Sequence, residues 1–203
     1  VPGLTSASPT IGPTTGGSTI TLLGTHLSGT SSVTFGSISA TNFTVVDDNT
    51  VSVTTPAHAA GLVDITLTAP GGATALTNYY TFQPLPILNS VTPTQGSAAG
   101  GETVTLSGSN LTGTTAVHFG STTASNIVVI NDSTVTVSTP TKMPGTYNIV
   151  LSTAVGDTTL INAYTYFAAP ILSNAVPSTG SVAGGTTITL SGSHLTGDRK
   201  SVV

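Results

Sequence analysis

The side chains able to do acid–base or metal chemistry are few: four His, seven Asp or Glu and no Cys in 203 residues. His26, His58 and His118 are scattered, without Cys or paired carboxylates, so they do not make the converging ligand set that zinc requires. Turn or strand-surface roles fit them better. Asp47-Asp48-Asn49 and Asn131-Asp132-Ser133 are oxygen-rich, and calcium takes such ligands, but it needs six to eight of them. Short Asp and Asn side chains also build β-turns by bonding to their own backbone, and that is the expectation here. Asp64 has Asn148 as its counterpart, and Glu102 stands alone. Paired acids for glycoside cleavage would have to face one cleft, and no nucleophile motif of the Gly-x-Ser-x-Gly kind occurs. Gly16-Gly17 and Gly100-Gly101 lack a following helix and a Lys, so they read as tight turns and not as phosphate cradles. Catalytic residues, metal ligands and cofactors are all expected to be none. Tyr79-Tyr80, Tyr164, Tyr166 and Phe167 cluster near the ends of the units. Their parity turns Tyr80, Phe82, Tyr164 and Tyr166 inward. It leaves Tyr79 and Phe167 to pack between domains or to stack on a sugar. Asn42-Phe43-Thr44, Asn110-Leu111-Thr112 and Asn131-Asp132-Ser133 fit the glycosylation acceptor pattern, which has meaning only in a eukaryotic secretory protein.

These residues sit on a repeated frame. Pro2, Pro86 and Pro170, then Pro9, Pro93 and Pro177, then Gly17, Gly101 and Gly185, recur at a step of 84 residues. Phe35-Gly36 returns as Phe119-Gly120, Pro56 as Pro140 and Gly61 as Gly145. Such a period marks tandem duplication of a domain-sized unit. Domains are therefore expected at 1–84 and 85–168, with an incomplete third copy at 169–203. Within a unit, short runs alternate with period two between Gly and Pro turns: Ile20/Leu22, Val33/Phe35, Phe43–Val46, Val51/Val53, Val63–Thr68 and Ala75–Phe82. The second copy supplies Val104/Leu106, Val117/Phe119, Ile127/Val129, Val135/Val137, Tyr147/Ile149/Leu151 and Leu160/Tyr164/Tyr166 as inward faces. No helical period is present. About seven strands per unit, with Gly12-Pro13 as a turn, predict all-β, tandem immunoglobulin-like β-sandwiches. The joint Phe82-Gln83-Pro84-Leu85-Pro86 has two prolines and little slack, so a stiff string is expected.

Apolar residues make up 37% of the chain and charged residues 5%, with a net charge of −4. Three basic residues cannot hold a phosphate backbone, which excludes nucleic acid as a partner. No apolar run reaches membrane-spanning length and none reads as a signal peptide. Val1 stands where a methionine would, so the chain is expected to be a processed or excised form. Thr/Ser/Gly richness points to an extracellular or cell-surface location.

The pattern Pro-x-Ile/Leu, Pro-x-x-Gly, Gly-Gly-x-x-Ile/Val-Thr-Leu-x-Gly, Val-x-Phe-Gly and Gly-x-x-x-Ile-x-Leu resembles the immunoglobulin-like IPT/TIG domain family. It is carried by Pro86, Ile87, Pro93, Gly96, Gly100, Gly101, Val104, Leu106, Gly108, Asn110, Leu111, Val117, Phe119, Gly120, Pro140, Gly145, Ile149 and Leu151, and by matching residues of the first copy from Pro2 to Leu67. His26 and His194 depart from it where Asn110 stands. The resemblance implies bacterial surface proteins, receptor ectodomains or accessory modules of starch-acting enzymes, and charge argues against its transcription-factor branch. It does not choose among the others.

Between Pro170 and Gly197 the third copy keeps 18 of the 28 residues of Pro86–Gly113, and then Asp198–Val203 follows no repeat. Two strands alone would expose Ile188 and Leu190. The expectation is a strand over Thr186–Leu190, completed by strands of a neighbouring copy or by the rest of the repeat. Taken together, the residues read as the structural stalk or fibre-forming repeat region of an extracellular or cell-surface protein, not an enzyme. It would space or display other modules, with self-association or neighbouring repeats as partners. The alternative is a carbohydrate-binding or adhesive module with a glycan or surface-receptor partner.

Overall fold

A computed structural model describes residues 1–195. The first unit contains β1 (Gly3–Ser8), β2 (Ile11–Pro13), β3 (Thr19–Thr25), β4 (Ser32–Phe35), β5 (Ile38–Ser39), β6 (Asn42–Asp47), β7 (Thr50–Thr54), β8 (Gly61–Ala69) and β9 (Gly72–Gln83). The second repeats them as β10 (Ile87–Thr92), β11 (Gln95–Ser97), β12 (Thr103–Ser109), β13 (Thr114–Phe119), β14 (Thr122–Thr123), β15 (Ser125–Asn131), β16 (Thr134–Ser138), β17 (Gly145–Thr153) and β18 (Gly156–Phe167). Each unit is a four-stranded sheet facing a five-stranded one. The orders are β1-β3-β7-β6 with β2-β9-β8-β4-β5, and β10-β12-β16-β15 with β11-β18-β17-β13-β14. These are immunoglobulin-like β-sandwiches, with nine segments per unit where the pattern suggested about seven.

The alternating residues bury as their period requires. Ile20, Leu22, Val33, Phe35, Val51, Val53, Ile65, Leu67, Tyr80 and Phe82 fill the first core, and their counterparts 84 positions on fill a separate second core. Phe35 meets Tyr80 edge-on at 5.3 Å, and Phe119 meets Tyr164 in the same way at 5.2 Å. Gly24 and Gly108 carry no side chain for a steric reason. A Cβ would lie 2.2 Å from the Gly3 carbonyl oxygen or 2.0 Å from that of Ile87, across a bulge in β1 or β10.

Three expectations for the two complete units need correction. The Gly12-Pro13 segment is not a turn. It belongs to β2, which pairs in parallel with the end of β9, as β11 does with β18. Proline is tolerated there because β2 is a sheet edge. Val129 does not face the core: it is 37% exposed on edge strand β15, whose register shifts on both sides of the Val128–Val129 pair. Tyr79 neither stacks between domains nor offers a free ring. It packs against the core of its own unit and its hydroxyl accepts the Ala7 N–H at 3.3 Å. The parity rule failed because Tyr79 lies in a bulge of β9, Thr77–Tyr79 opposite Asp64, where Asn78 has φ 48°.

In the third copy, β19 (Ile171–Val176) pairs with β20 (Thr189–Ser193) in the register of β1 with β3. The strand begins at Thr189, not Thr186, and Ile188 and Leu190 are 52% and 54% exposed where Val104 and Leu106 are at 0%. The segment 198–203 lies outside the described residues.

Candidate functional site

Polar groups converge at three places in each unit, and the first is a loop clamp. Asp47 Oδ1 accepts the Asn49 N–H at 2.8 Å, and Asn131 Oδ1 accepts that of Ser133 at 2.9 Å, so these residues cap the β6–β7 and β15–β16 turns. The adjacent acid reaches across to the loop after β3 or β12. Asp48 accepts the backbone N–H groups of His26 at 3.3 Å and Ser28 at 3.4 Å, and the Ser28 hydroxyl. Asp132 accepts those of Asn110 at 3.2 Å and Thr112 at 3.4 Å, and the Thr112 hydroxyl at 2.9 Å. The hydroxyl bonds, first of all, hold both carboxyls below the ordinary carboxylate value. The loop leaves β3 or β12 through a left-handed residue, His26 or Asn110, each at φ 56°. It then buries Leu27 or Leu111. The carboxylates are thus occupied in holding a loop in place. No group of three or more His, Cys, Asp or Glu placed to hold a metal exists among the described residues.

A second cluster closes the buried end of each sandwich. In the second unit the Tyr164 hydroxyl donates to Glu102 Oε2 at 3.1 Å, and the Ser97 N–H donates to the same oxygen at 3.3 Å. Burial, then the bond to Glu102, pushes the Tyr164 phenol far above its usual range, and burial pushes Tyr166 up to about 12. In the first unit Ser18 replaces Glu102, and the buried Tyr80 hydroxyl makes no well-formed hydrogen bond; burial raises its pKa, against a lowering by the nearby Ser18 and Thr55 hydroxyls. Glycine is needed opposite both phenols. A Cβ on Gly12 would lie 2.1 Å from Tyr80 Oη, and one on Gly96 would lie 2.2 Å from Tyr164 Oη.

The third feature was missed from sequence. The bulge in β9 offers the Asn78 N–H, which Asp64 Oδ1 accepts at 2.7 Å, and in β18 the Asn162 N–H is accepted by Asn148 Oδ1 at 2.8 Å. The Asp64-to-Asn148 exchange looked like loss of an acid, yet only the shared carbonyl-type oxygen is used. The signal in the sequence was Asn at 78 and 162, the residue most tolerant of αL after Gly.

The remaining candidates separate. His58 stacks on Phe82 at 4.8 Å and its Nδ1 lies 2.7 Å from the Ala59 carbonyl. Lys142, its counterpart, lies 4.5 Å from the Tyr147 ring centroid. Phe167 is about half exposed at the end of β18. Gly16 and Gly17, at φ 70° and 85°, make the turn between β2 and β3, with no helix after them. A small cleft lies where the units join, lined by Gln83, Pro84, Asn110, Thr112, Asp132, Thr153 and Val155.

Tandem immunoglobulin-like sandwiches with these glycine and proline offsets define a recognisable class. The IPT/TIG domain model matches residues 2–84, 86–166 and 170–203, and the chain belongs to that family. It is 28% identical over 172 residues to fibrocystin-L of Mus musculus, covering 81% of this chain and 4% of that protein. The chain thus spans a small fraction of the length of the curated relative it matches. Among solved structures it resembles the full extracellular region of plexin A4 at a TM-score of 0.50 and 21% identity, over 96% of this chain and 18% of that one. SGBP-B, from a complex xyloglucan utilization locus in Bacteroides uniformis, is similar at a TM-score of 0.41 and 18% identity, over 91% and 58% of the respective chains. At 21% identity the likeness to the plexin structure bears on the fold alone. No helix among the described residues is long and apolar enough to cross a membrane.

Proposed function

We propose that this chain is a spacer: a stalk or fibre-forming repeat region of an extracellular or cell-surface protein, built from modules at 1–84 and 85–168 and a third begun at 169. One observation carries this reading. Among the deepest core positions only Ile20/Val104 and Phe82/Tyr166 differ between the two units, whereas exposed positions diverge freely. Leu23 is replaced by Ser107, Thr44 by Val128, Leu62 by Thr146 and Gln83 by Phe167. Two copies of one binding module would repeat a surface, and these repeat an interior. The open face of β19 and β20 suits covering strands from neighbouring repeats or from another copy.

Small-angle scattering on the full chain should give an elongated particle, and a glycan array should give no saturable binding. A compact profile would overturn the spacer. The half-exposed Phe167 ring favours the alternative of a carbohydrate-binding or adhesive module. Reproducible glycan binding lost on Phe167→Ala would establish that alternative.

A further inference from the structure

At the joint between the first two units, one side chain of the second hydrogen-bonds the connecting peptide. The peptide from Gln83 to Pro86 runs past three loops of the second unit: the loop after β12, the β15–β16 turn and the β17–β18 hairpin. Asn110, on the first of these, donates its side-chain Nδ2–H to the Leu85 carbonyl at 3.0 Å. Its own backbone N–H is held by Asp132 and its φ is 56°, so the amide is aimed from a fixed base. The Leu85 side chain lies over the hairpin, 2.7 Å from where a Cβ on Gly156 would sit. Val155 in that hairpin is buried without belonging to the second core, beside Gln83 and Pro84.

The same backbone position carries His26 in the first unit and His194 in the third, with φ 56° and 57°. Both are exposed, whereas Asn110 is half-buried. Among the described residues no hydrogen bond joins His194 to Ala169, the counterpart of Leu85. This residue distinguishes the two joints, together with the change from Pro84-Leu85 to Ala168-Ala169 in the peptide itself.

We infer that Asn110 is the positioning residue that latches the first joint, and that the residue at this place in each unit sets how firmly the unit grips the peptide before it. The inference rests on the spacer reading, since it specifies how a spacer would be made stiff or loose joint by joint. Asn110→Gly removes the amide while keeping a residue at ease in the left-handed region. A single solvent-accessible hydrogen bond of this kind favours the closed joint by roughly 2- to 10-fold.

The chain has no Cys, so Thr19→Cys and Thr103→Cys place one spin label on each sandwich of an otherwise unchanged full chain. Dipolar spectroscopy should give one narrow distance distribution for this parent. Asn110→Gly and Asn110→His should broaden it, with the melting of both units unaltered. A distribution as narrow as the parent's in both variants would overturn the latch and leave the spacer standing. A distribution already broad in the parent would overturn the stiff spacer and the latch with it.

Discussion

The two sandwiches have closely matched interiors, and inside them the polar difference lies where a buried phenol needs a partner. In the second unit Glu102 receives the Tyr164 hydroxyl and the Ser97 N–H, whereas in the first Ser18 stands in that place and the Tyr80 hydroxyl has no bond. Nearly everything apolar around the two phenols is the same. The core is thus specified by shape, while the polar corner is free to vary because either solution lets the sheets close. A buried hydroxyl without a partner costs free energy. Both units tolerate it, the first at Tyr80 and the second at Tyr166, the residue that replaces Phe82.

The largest effect should come from the shared part. Phe35→Ala and Phe119→Ala each empty the centre of an aromatic cluster, at about 3–5 kcal/mol. Because the cores are separate, calorimetry of the full chain should show only the altered unit melting early. Loss of both units together would break the picture of equivalent, independent copies.

A middle-sized effect should separate the copies. Glu102→Ala strands the Tyr164 hydroxyl and the Ser97 N–H, at about 1–3 kcal/mol, while Ser18→Ala should stay within about 0.5 kcal/mol. The alkaline limb sharpens the contrast. Tyr164 and Tyr166 hold their protons in the folded state beyond the ordinary value of 10.0, so the unfolded chain releases protons first as pH rises. Stability must then fall above about pH 10, and more steeply for the second unit. Melting points measured from pH 9 upward that fall equally for the two units would remove the role given to Glu102.

The smallest effect concerns the loop clamps. Asp48 and Asp132 lie below their ordinary value of 3.8, so their contribution is present above that pH and is lost as pH falls through the lowered value. Asp132→Asn should lower the melting point slightly at pH 7, and the difference from the native chain should vanish in acid. A constant difference at all pH values would show that the charge plays no part.

The class of fold and the inward faces were legible because a two-residue period with fixed Gly and Pro punctuation leaves a chain little choice. Val33, Phe35, Ile65 and Leu67 bury as their alternation requires. Tyr79 and Val129 did not follow their parity, since a bulge adds residues that the alternation does not count. Gly12-Pro13 looked like a turn because its pairing partner is almost a whole unit away in sequence, at Phe82 and Gln83. The polar sites were legible only as residue types. That Asp48 should grip Ser28, that Asp64 should serve Asn78 and that Asn110 should reach Leu85 depend on which loops meet in space, and no local pattern encodes that.

The parallel pairing of β2 with β9 has a further consequence. The chain enters each unit through β1 or β10, passes into β2 or β11, and leaves at the end of β9 or β18. Once the first strand yields, a pull on the two ends draws the parallel pair in opposite directions along its common axis. The ladder from Ile11–Thr81 to Pro13–Gln83, and likewise that from Gln95–Thr165 to Ser97–Phe167, is then loaded in shear, all its rungs at once, and is not peeled open one bond at a time. A three-residue edge strand is thereby placed where a stretched chain would meet collective resistance after β1 or β10 has parted from its neighbour.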